Sequence, residues 1–165
     1  MIDYKEKGIG LHQEIADAGF SLVQSNGVWV ADNESEVQLI IDSYPIENAK
    51  KIVNDEIDLH AKKLRDGIVS YISSAEMASW PIKRTEATDY SKSHSEADAP
   101  MLLIEAQARG ITLDVLVEKV LSKATALSQL EAEISGACGA HNDAIKSAST
   151  FEDVLSYDWR SGWPL

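Results

Sequence analysis

Apolar residues recur at steps of three or four positions along two long stretches of the chain, residues 46–71 and residues 113–148. This spacing places the apolar side chains on one face of an α-helix. In the second stretch ten steps cover 35 residues, a mean of 3.5 that is typical of coiled coils. The two stretches therefore predict a long antiparallel helical hairpin. The apolar positions of the second stretch are Leu113, Leu116, Val120, Ala124, Leu127, Leu130, Ile134, Cys138, His141, Ile145 and Ala148.

The first 45 residues have a different pattern, which predicts two short helices on either side of a β-hairpin. Residues 10–19 have an apolar helical face and end at a glycine, which commonly terminates helices. Asn26-Gly27 then lies between two β-prone runs, and this dipeptide is the strongest short signal of a hairpin. Asn33 is the predicted N-cap of the second helix. The segment is too short to be more than marginally stable alone, so we expect it to pack against the rest of the chain or against a partner.

These patterns divide the chain into three parts and predict a mainly α fold. Residues 1–45 form a small N-terminal α-β-β-α unit, and residues 46–149 form the helical hairpin or bundle. Residues 150–165 form a short helix followed by a tryptophan-rich tail. Thr150, with Asp153 three residues later, predicts the start of that last helix.

Between the two long stretches the sequence predicts shorter elements. Residues 75–90 predict a helix that is interrupted at Pro81, because proline cannot donate to the preceding turn. The polar run 91–99 lacks periodicity and predicts a loop, and a short helix follows it. Within the longer helix, Gly136 and Gly139 predict either a break or a close approach of another backbone.

The expected register of the hairpin pairs residue 46 with residue 138. In that register, residues 139–148 project about 15 Å beyond the shorter helix, because an α-helix rises 1.5 Å per residue. His141 and Ile145 then lie outside the hairpin contact. Their cover must come from the N-terminal unit, from the tail folding back, or from a second chain.

Bulky apolar groups are concentrated in the last nine residues. Tryptophan and tyrosine bury large areas and carry one polar group, so they serve either a core or an interface. The sequence leaves open whether the tail packs on its own chain or on a neighbour. We predict an interaction surface made of Tyr157, Trp159, Trp163, Pro164, His141 and Ile145.

The composition is that of a globular protein with a large negative charge. The 165 residues are 44% hydrophobic and 25% charged, with a formal net charge of −12. Binding to a phosphate backbone uses clustered Lys and Arg, so we predict no nucleic-acid partner. No apolar run approaches the ~20 residues of a spanning helix, and the N-terminus lacks an apolar signal segment, so we expect neither membrane insertion nor export. A single cysteine, Cys138, excludes an internal disulfide.

Few residues suggest chemistry. Glu56 lies one turn before His60, and such a pair could contribute to a metal site. However, His60 and His141 both fall on apolar helical faces, and neither has a second histidine four residues later, so we interpret them as core histidines. Cys138 lies on the same kind of face, where a thiol behaves as a small hydrophobe. We therefore predict no catalytic residue, no metal and no cofactor, with a small metal-dependent hydrolase as a less favoured alternative.

Three stretches of the chain together resemble small accessory proteins encoded in the tail-gene regions of tailed bacteriophages and prophages, near the tail-fibre and fibre-assembly genes. They are GVWVADNESEVQLIIDSY at 27–44, AEMASWPIKRTEA at 75–87 and STFEDVLSYDWRSGWP at 149–164. The last stretch, which closes with Trp-x-x-Gly-Trp-Pro, is the most distinctive. The resemblance implies a tail-associated setting and carries over no catalytic residue.

The resemblance and the helical pattern together favour a non-enzymatic, tail-associated structural or connecting protein that acts through protein–protein contacts. The expected partners are further copies of the chain, other phage tail proteins, or both. The expected location is the host cytoplasm during assembly or the virion tail. The alternative is a tail-fibre assembly chaperone that is absent from the finished virion. A regulatory protein that mimics nucleic acid is less favoured, because the acidic residues are interspersed with basic ones.

Overall fold

The computed structural model describes residues 2–164 and confirms a mainly α fold with a small N-terminal α-β-β-α segment. Met1 and Leu165 lie outside the described residues. They are the first residue of the predicted segment 1–45 and the last residue of the predicted segment 150–165. In chain order the elements are α1 (Ile9–Asp17), β1 (Leu22–Ser25), β2 (Val28–Ala31), α2 (Glu34–Ser43), α3 (Ile46–Val69), α4 (Ser74–Ser93), a 3-10 turn (Glu96–Asp98), α5 (Pro100–Arg109), α6 (Leu113–Ser147) and α7 (Phe151–Ser156).

The chain divides into two compact units. The first unit contains residues 2–62 together with residues 136–163, and the second contains residues 63–135 together with Pro164. The long helices α3 and α6 each contribute residues to both units. The first unit is therefore built from two segments that are far apart in the sequence.

The hairpin and the helix caps of the first unit form where local sequence predicts them. Asn26 and Gly27 both have positive φ angles, 52° and 79°, as a tight two-residue hairpin turn requires. The turn pairs β1 with β2 in antiparallel register, with Val23 opposite Val30. Asn33 caps α2, and its side chain accepts a bond from the Glu36 N–H. These predictions are confirmed.

The core of the first unit is made of aliphatic side chains from α1, α2, α3, α6 and α7. Its fully buried members, each at most 1% exposed, are Leu11, Ile15, Val37, Ile41, Ile57, Ile145 and Val154. The charged side chain of Lys7 is also buried, and its ammonium donates to the carbonyl oxygens of Ile41 and Tyr44 at the end of α2. A lysine in this position donates to carbonyl groups that the helix leaves unpaired, and its positive charge interacts favourably with the negative end of the helix dipole.

The pairing of α3 with α6 is antiparallel, but the predicted register is wrong. That register places residue 58 opposite residue 126, whereas Asp58 accepts a bond from Cys138, twelve residues further along α6, and another from Asn142. The Lys50 ammonium likewise donates to the Lys146 carbonyl. Residues 139–148 therefore do not project beyond α3. The prediction aligned the helix ends nearest to each other in sequence, whereas the first unit aligns the start of α3 with the end of α6.

Within α6 the two glycines mark neither a break nor a close approach. The helix runs without interruption from Leu113 to Ser147, through both Gly136 and Gly139. A β-carbon added at either position would meet no heavy atom of the described residues within 4 Å. The predicted break is therefore wrong, and no backbone of the described residues approaches either glycine.

In the second unit, α4 and α5 pack against the first half of α6. The helix α4 is continuous from Ser74 to Ser93 despite Pro81, so the predicted interruption is wrong. The predicted loop 91–99 contains the last turn of α4 and the 3-10 turn. The Glu86 carboxylate accepts bonds from the first N–H groups of α5, those of Met101 and Leu102. The core residues are Ala87, Tyr90, Ala99, Leu102, Ala106, Leu113, Leu116 and Val117.

None of the helices formed by residues 2–164 combines the length and the apolar character that crossing a membrane would require.

Candidate functional site

The residues predicted to form an interaction surface are brought together in the first unit, with the exception of Pro164. Trp159 is 8% exposed and His141 is 8% exposed, and the Ile145 side chain is fully buried. Tyr157 and Trp163 are partly buried and pack against the same core, and Pro164 is partly exposed. The tail thus packs on His141, while Ile145 lies in a core to which both the N-terminal unit and the tail contribute, so both residues are covered within their own chain.

Trp163 lies between two histidines from the long helices. Its ring centroid is 4.9 Å from that of His60 on α3 and 5.1 Å from that of His141 on α6. The indole N–H donates to the Trp159 carbonyl at 2.7 Å, and the Tyr157 hydroxyl is hydrogen-bonded to His141 Nδ1 at 2.9 Å. The Trp163 indole and the Tyr157 hydroxyl therefore both have partners, as burial of a tryptophan or tyrosine requires.

Arg160 holds the outer side of the tail. Its guanidinium lies 4.2 Å from the centre of the Trp159 ring, within the range of a cation–π contact. The same guanidinium is 3.7 Å from the Glu56 carboxylate. Neither contact has a signal in the sequence, because residues 56 and 160 are brought together only by the fold. Arg160 therefore contacts both the Trp159 ring and α3.

The residues considered for a metal site make contacts with the tail instead. His60 and His141 both direct their rings at Trp163, and Glu56 faces Arg160. Among residues 2–164 no group of three or more His, Cys, Asp or Glu side chains is placed to hold a metal ion. The histidines pack as members of an aromatic cluster.

A surface that the sequence did not indicate is the outward face of the β-ribbon. Residues opposite each other across two strands share a face, so Val23 and Val30 lie together with Val28 on one side. Val23 is 56% exposed, Val30 is 43% exposed and Val28 is 42% exposed. Trp29 lies on the other side, where its ring stacks on Tyr4 at 4.1 Å. Because VWVA is apolar throughout, alternation could not reveal which face is covered.

Acidic groups flank this ribbon face along the chain. Asp32 follows β2 directly, and Glu34 and Glu36 lie in the first turn of α2. A hydrogen bond from the Ser21 N–H lowers the pKa of the Asp32 carboxyl, so this group is ionised at neutral pH. Each strand of the two-stranded sheet also has an unpaired outer edge within the described residues. An apolar strip with open edges and acidic neighbours can receive another polypeptide by strand pairing or by side-chain packing.

The second unit contains a further concave surface, which we call the Tyr90 groove. It has a volume of about 430 Å³ and is lined by Tyr90, Ser91, His94, Asp114, Val117, Glu118, Leu121, Ser122 and Thr125. The Tyr90 hydroxyl donates to Asp114 Oδ1 at 3.0 Å, and this bond is the main reason why the pKa of Tyr90 is raised. Sequence reasoning missed the groove because it joins the end of α4 to the start of α6, two elements that are separated along the chain by the whole of α5.

Comparison with known protein families, with curated proteins and with solved structures gives no match for this chain.

Proposed function

We propose that the chain is a non-enzymatic structural or connecting protein associated with the tail of a bacteriophage or prophage, and that it acts through protein–protein contacts. The tail setting comes from the sequence resemblance described above. The observation that carries the contact role is the outward face of the β-ribbon, where Val23, Val28 and Val30 are each at least 42% exposed.

Apolar side chains that stay in contact with water gain free energy when a partner covers them. Each exposed valine could contribute up to about 1.5 kcal/mol if a partner covered it fully. Three valines on one face of the two-stranded ribbon, with unpaired strand edges beside them, form a surface suited to association. Because Trp159 and Trp163 already pack on their own chain, we assign the contact role to the ribbon rather than to the tail.

The first test measures self-association of the purified chain by light scattering across a range of concentrations. A variant with Val23→Thr, Val28→Thr and Val30→Thr keeps the strand preference of β-branched residues but removes the apolar face. We expect the variant to associate more weakly than the wild type. The matched control is Ile104→Thr, since Ile104 is 69% exposed on α5 in the other unit.

A second test separates a virion component from a chaperone. Mass spectrometry of purified phage particles from the strain that encodes the chain should detect it if it is a connecting component. Recovery of the chain only in complexes with tail proteins from the lysate would instead support the assembly chaperone. A chain that stays monomeric at high concentration and binds no tail protein would contradict both roles.

A further inference from the structure

We infer that the Tyr90 groove binds an arginine side chain presented by an extended segment of a partner protein. The groove combines an apolar floor with carboxylates at its edge, and this combination matches a side chain that has an aliphatic stem and a cationic head. Assigning the arginine to a polypeptide rests on the proposed function, whereas the binding chemistry of the groove does not.

The floor of the groove is formed by successive turns of α6. Val117 is 5% exposed and belongs to the core of the second unit, and Leu121 packs against that core while remaining partly exposed. Tyr90, which is 8% exposed as a whole residue, lines one side of the groove. Long cationic side chains lay their methylene groups along such surfaces while their charged end stays near water.

The charged end would meet Asp114 and Glu118, which lie one turn apart on α6. Asp114 uses Oδ1 to accept the Tyr90 hydroxyl, so that Oδ2 is available to a second donor. No ion pair involving either carboxylate forms within residues 2–164, and no lysine or arginine is among the described residues that line the groove. The groove is therefore negative and has no cation of its own.

The end of α4 adds to this preference. The helix stops at Ser93, and His94 adopts a left-handed conformation with φ of 54° while its N–H bonds to the Tyr90 carbonyl. The negative end of the α4 dipole thus lies at the groove wall, where it favours a cation. The hydroxyl groups of Ser91, Ser122 and Thr125 supply further acceptors for a donor-rich ligand.

Arginine fits these groups better than lysine does. Its planar guanidinium presents five donors and can bond two acceptors at once, whereas the lysine ammonium acts as a compact, strongly hydrated charge.

The experiment is a nuclear magnetic resonance titration of the full chain with blocked pentapeptides of sequence Gly-Leu-Xaa-Leu-Gly. Xaa is arginine, lysine or citrulline, the last of which keeps the shape of arginine but carries no charge. We expect the arginine peptide to shift backbone amide signals around Tyr90, Asp114 and Glu118, with at least threefold tighter binding than the lysine peptide. The citrulline peptide should bind at least tenfold more weakly than the arginine peptide.

Two glutamate variants on α6 provide the matched comparison. Glu118→Gln should weaken arginine-peptide binding at least threefold, whereas Glu133→Gln, which removes the same charge outside the groove, should leave it unchanged. Equal weakening by both variants, or shifts spread over the whole acidic surface, would overturn the inference in favour of diffuse attraction between charges. A separate titration with spermidine that shifts the groove signals at concentrations where the arginine peptide does not would overturn it in favour of a polyamine site.

The peptide titration and the mass spectrometry of phage particles test the groove and the proposed function separately. Failure of the peptide to bind while the chain is found in phage particles would reject the groove and leave the proposed function intact. Peptide binding by a chain that associates with no tail protein would reject the proposed function and retain the chemistry of the groove.

Discussion

The same spacing of apolar residues along α6 gives two different degrees of burial. In the first unit, Ile145 is fully buried because α1, α2, α7 and the tail contribute to one core around it. In the second unit, Leu116 and Ile134 are also buried, but Val120, Leu127 and Leu130, which lie between them on the same stripe, remain partly exposed. A helical period therefore determines which face of α6 is apolar, while the elements that pack on that face determine how much it stabilises the fold.

The strongest test of this difference compares two tryptophans. Trp159→Ala in the first unit should lower the free energy of unfolding by about 3–5 kcal/mol, because it removes a large buried ring. Trp80→Ala in the second unit should cost only about 1–2 kcal/mol, because Trp80 is partly exposed. Urea denaturation followed by circular dichroism measures both. Light scattering should show that Trp159→Ala does not change the oligomeric mass; a changed mass would place this tryptophan between subunits.

A comparison along α6 itself has the next largest expected effect. Ile145→Ala should destabilise the chain by about 2–4 kcal/mol, since the side chain is fully buried and leaves a cavity. Leu127→Ala should cost about 1 kcal/mol, because its partly exposed site leaves little cavity behind. Both values come from urea midpoints of otherwise identical proteins. Equal losses would show that a partner covers Leu127 under the conditions of the measurement.

The helix caps should contribute similarly in the two units. Thr150 and Asp153 form a reciprocal capping box at the start of α7, and Ser73 caps α4 by accepting the Glu76 N–H. Thr150→Ala and Ser73→Ala should each cost about 1 kcal/mol, because each leaves a helix N–H without its side-chain acceptor. The loss can be read from thermal unfolding. A much smaller loss for Ser73→Ala would indicate that the start of α4 frays.

The smallest expected effect is a dependence of stability on pH. Hydrogen bonds from Lys83 first, and then from Arg109, lower the pKa of the Glu105 carboxyl below its ordinary value of 4.5. A carboxyl whose pKa is lower in the folded state stabilises the fold fully above the unfolded value, and this contribution is lost as the pH falls through the folded value. Between about pH 5 and about pH 3, Glu105→Gln should therefore lose less stability than the wild type.

The control for this pH effect is Glu133→Gln. Glu133 accepts a hydrogen bond from neutral Gln129 rather than from a cation. The control variant should follow the wild-type acid dependence, as measured by urea midpoints at the two pH values. If Glu105→Gln and the wild type lost the same stability as the pH falls, the ion pair with Lys83 would not contribute to acid stability.

Local features of the fold could be predicted from the sequence because neighbouring residues determine them. The Asn33 side chain accepts a hydrogen bond from the N–H of Glu36, three residues later. The Asn26-Gly27 turn requires only the backbone angles of its own two residues. Pro81 shows the limit of such reasoning, since α4 continues through it despite the local cost. Cap and turn signals act locally, whereas a proline in the sequence does not by itself show where a helix ends.

The register of α3 against α6 could not be predicted from the pattern. A stripe that repeats every three or four residues fits a second such stripe almost equally well after a shift of several turns. The observed alignment brings together polar pairs such as Asp58 with Asn142, and Arg65 with Glu131, which the periodicity does not include.

The candidate surfaces were predictable only in part. The aromatic residues of the tail could be singled out from composition, and whether they pack on their own chain depends on His60 and His141 lying on either side of Trp163. The ribbon face and the Tyr90 groove depend on which side of an element stays uncovered, and this is decided by contacts between distant segments.

The discontinuous first unit has a consequence for how the chain folds during synthesis. Residues 2–62 emerge from the ribosome before residues 136–163 exist, yet Ile145, Val154 and Trp159 complete the core that they share. The early segment cannot complete this core until residues 136–163 have been translated. All the segments of the second unit between residues 63 and 135 have been made by then. Nascent chains of increasing length should therefore acquire protease resistance in residues 2–62 only after residues 136–163 have emerged from the ribosome.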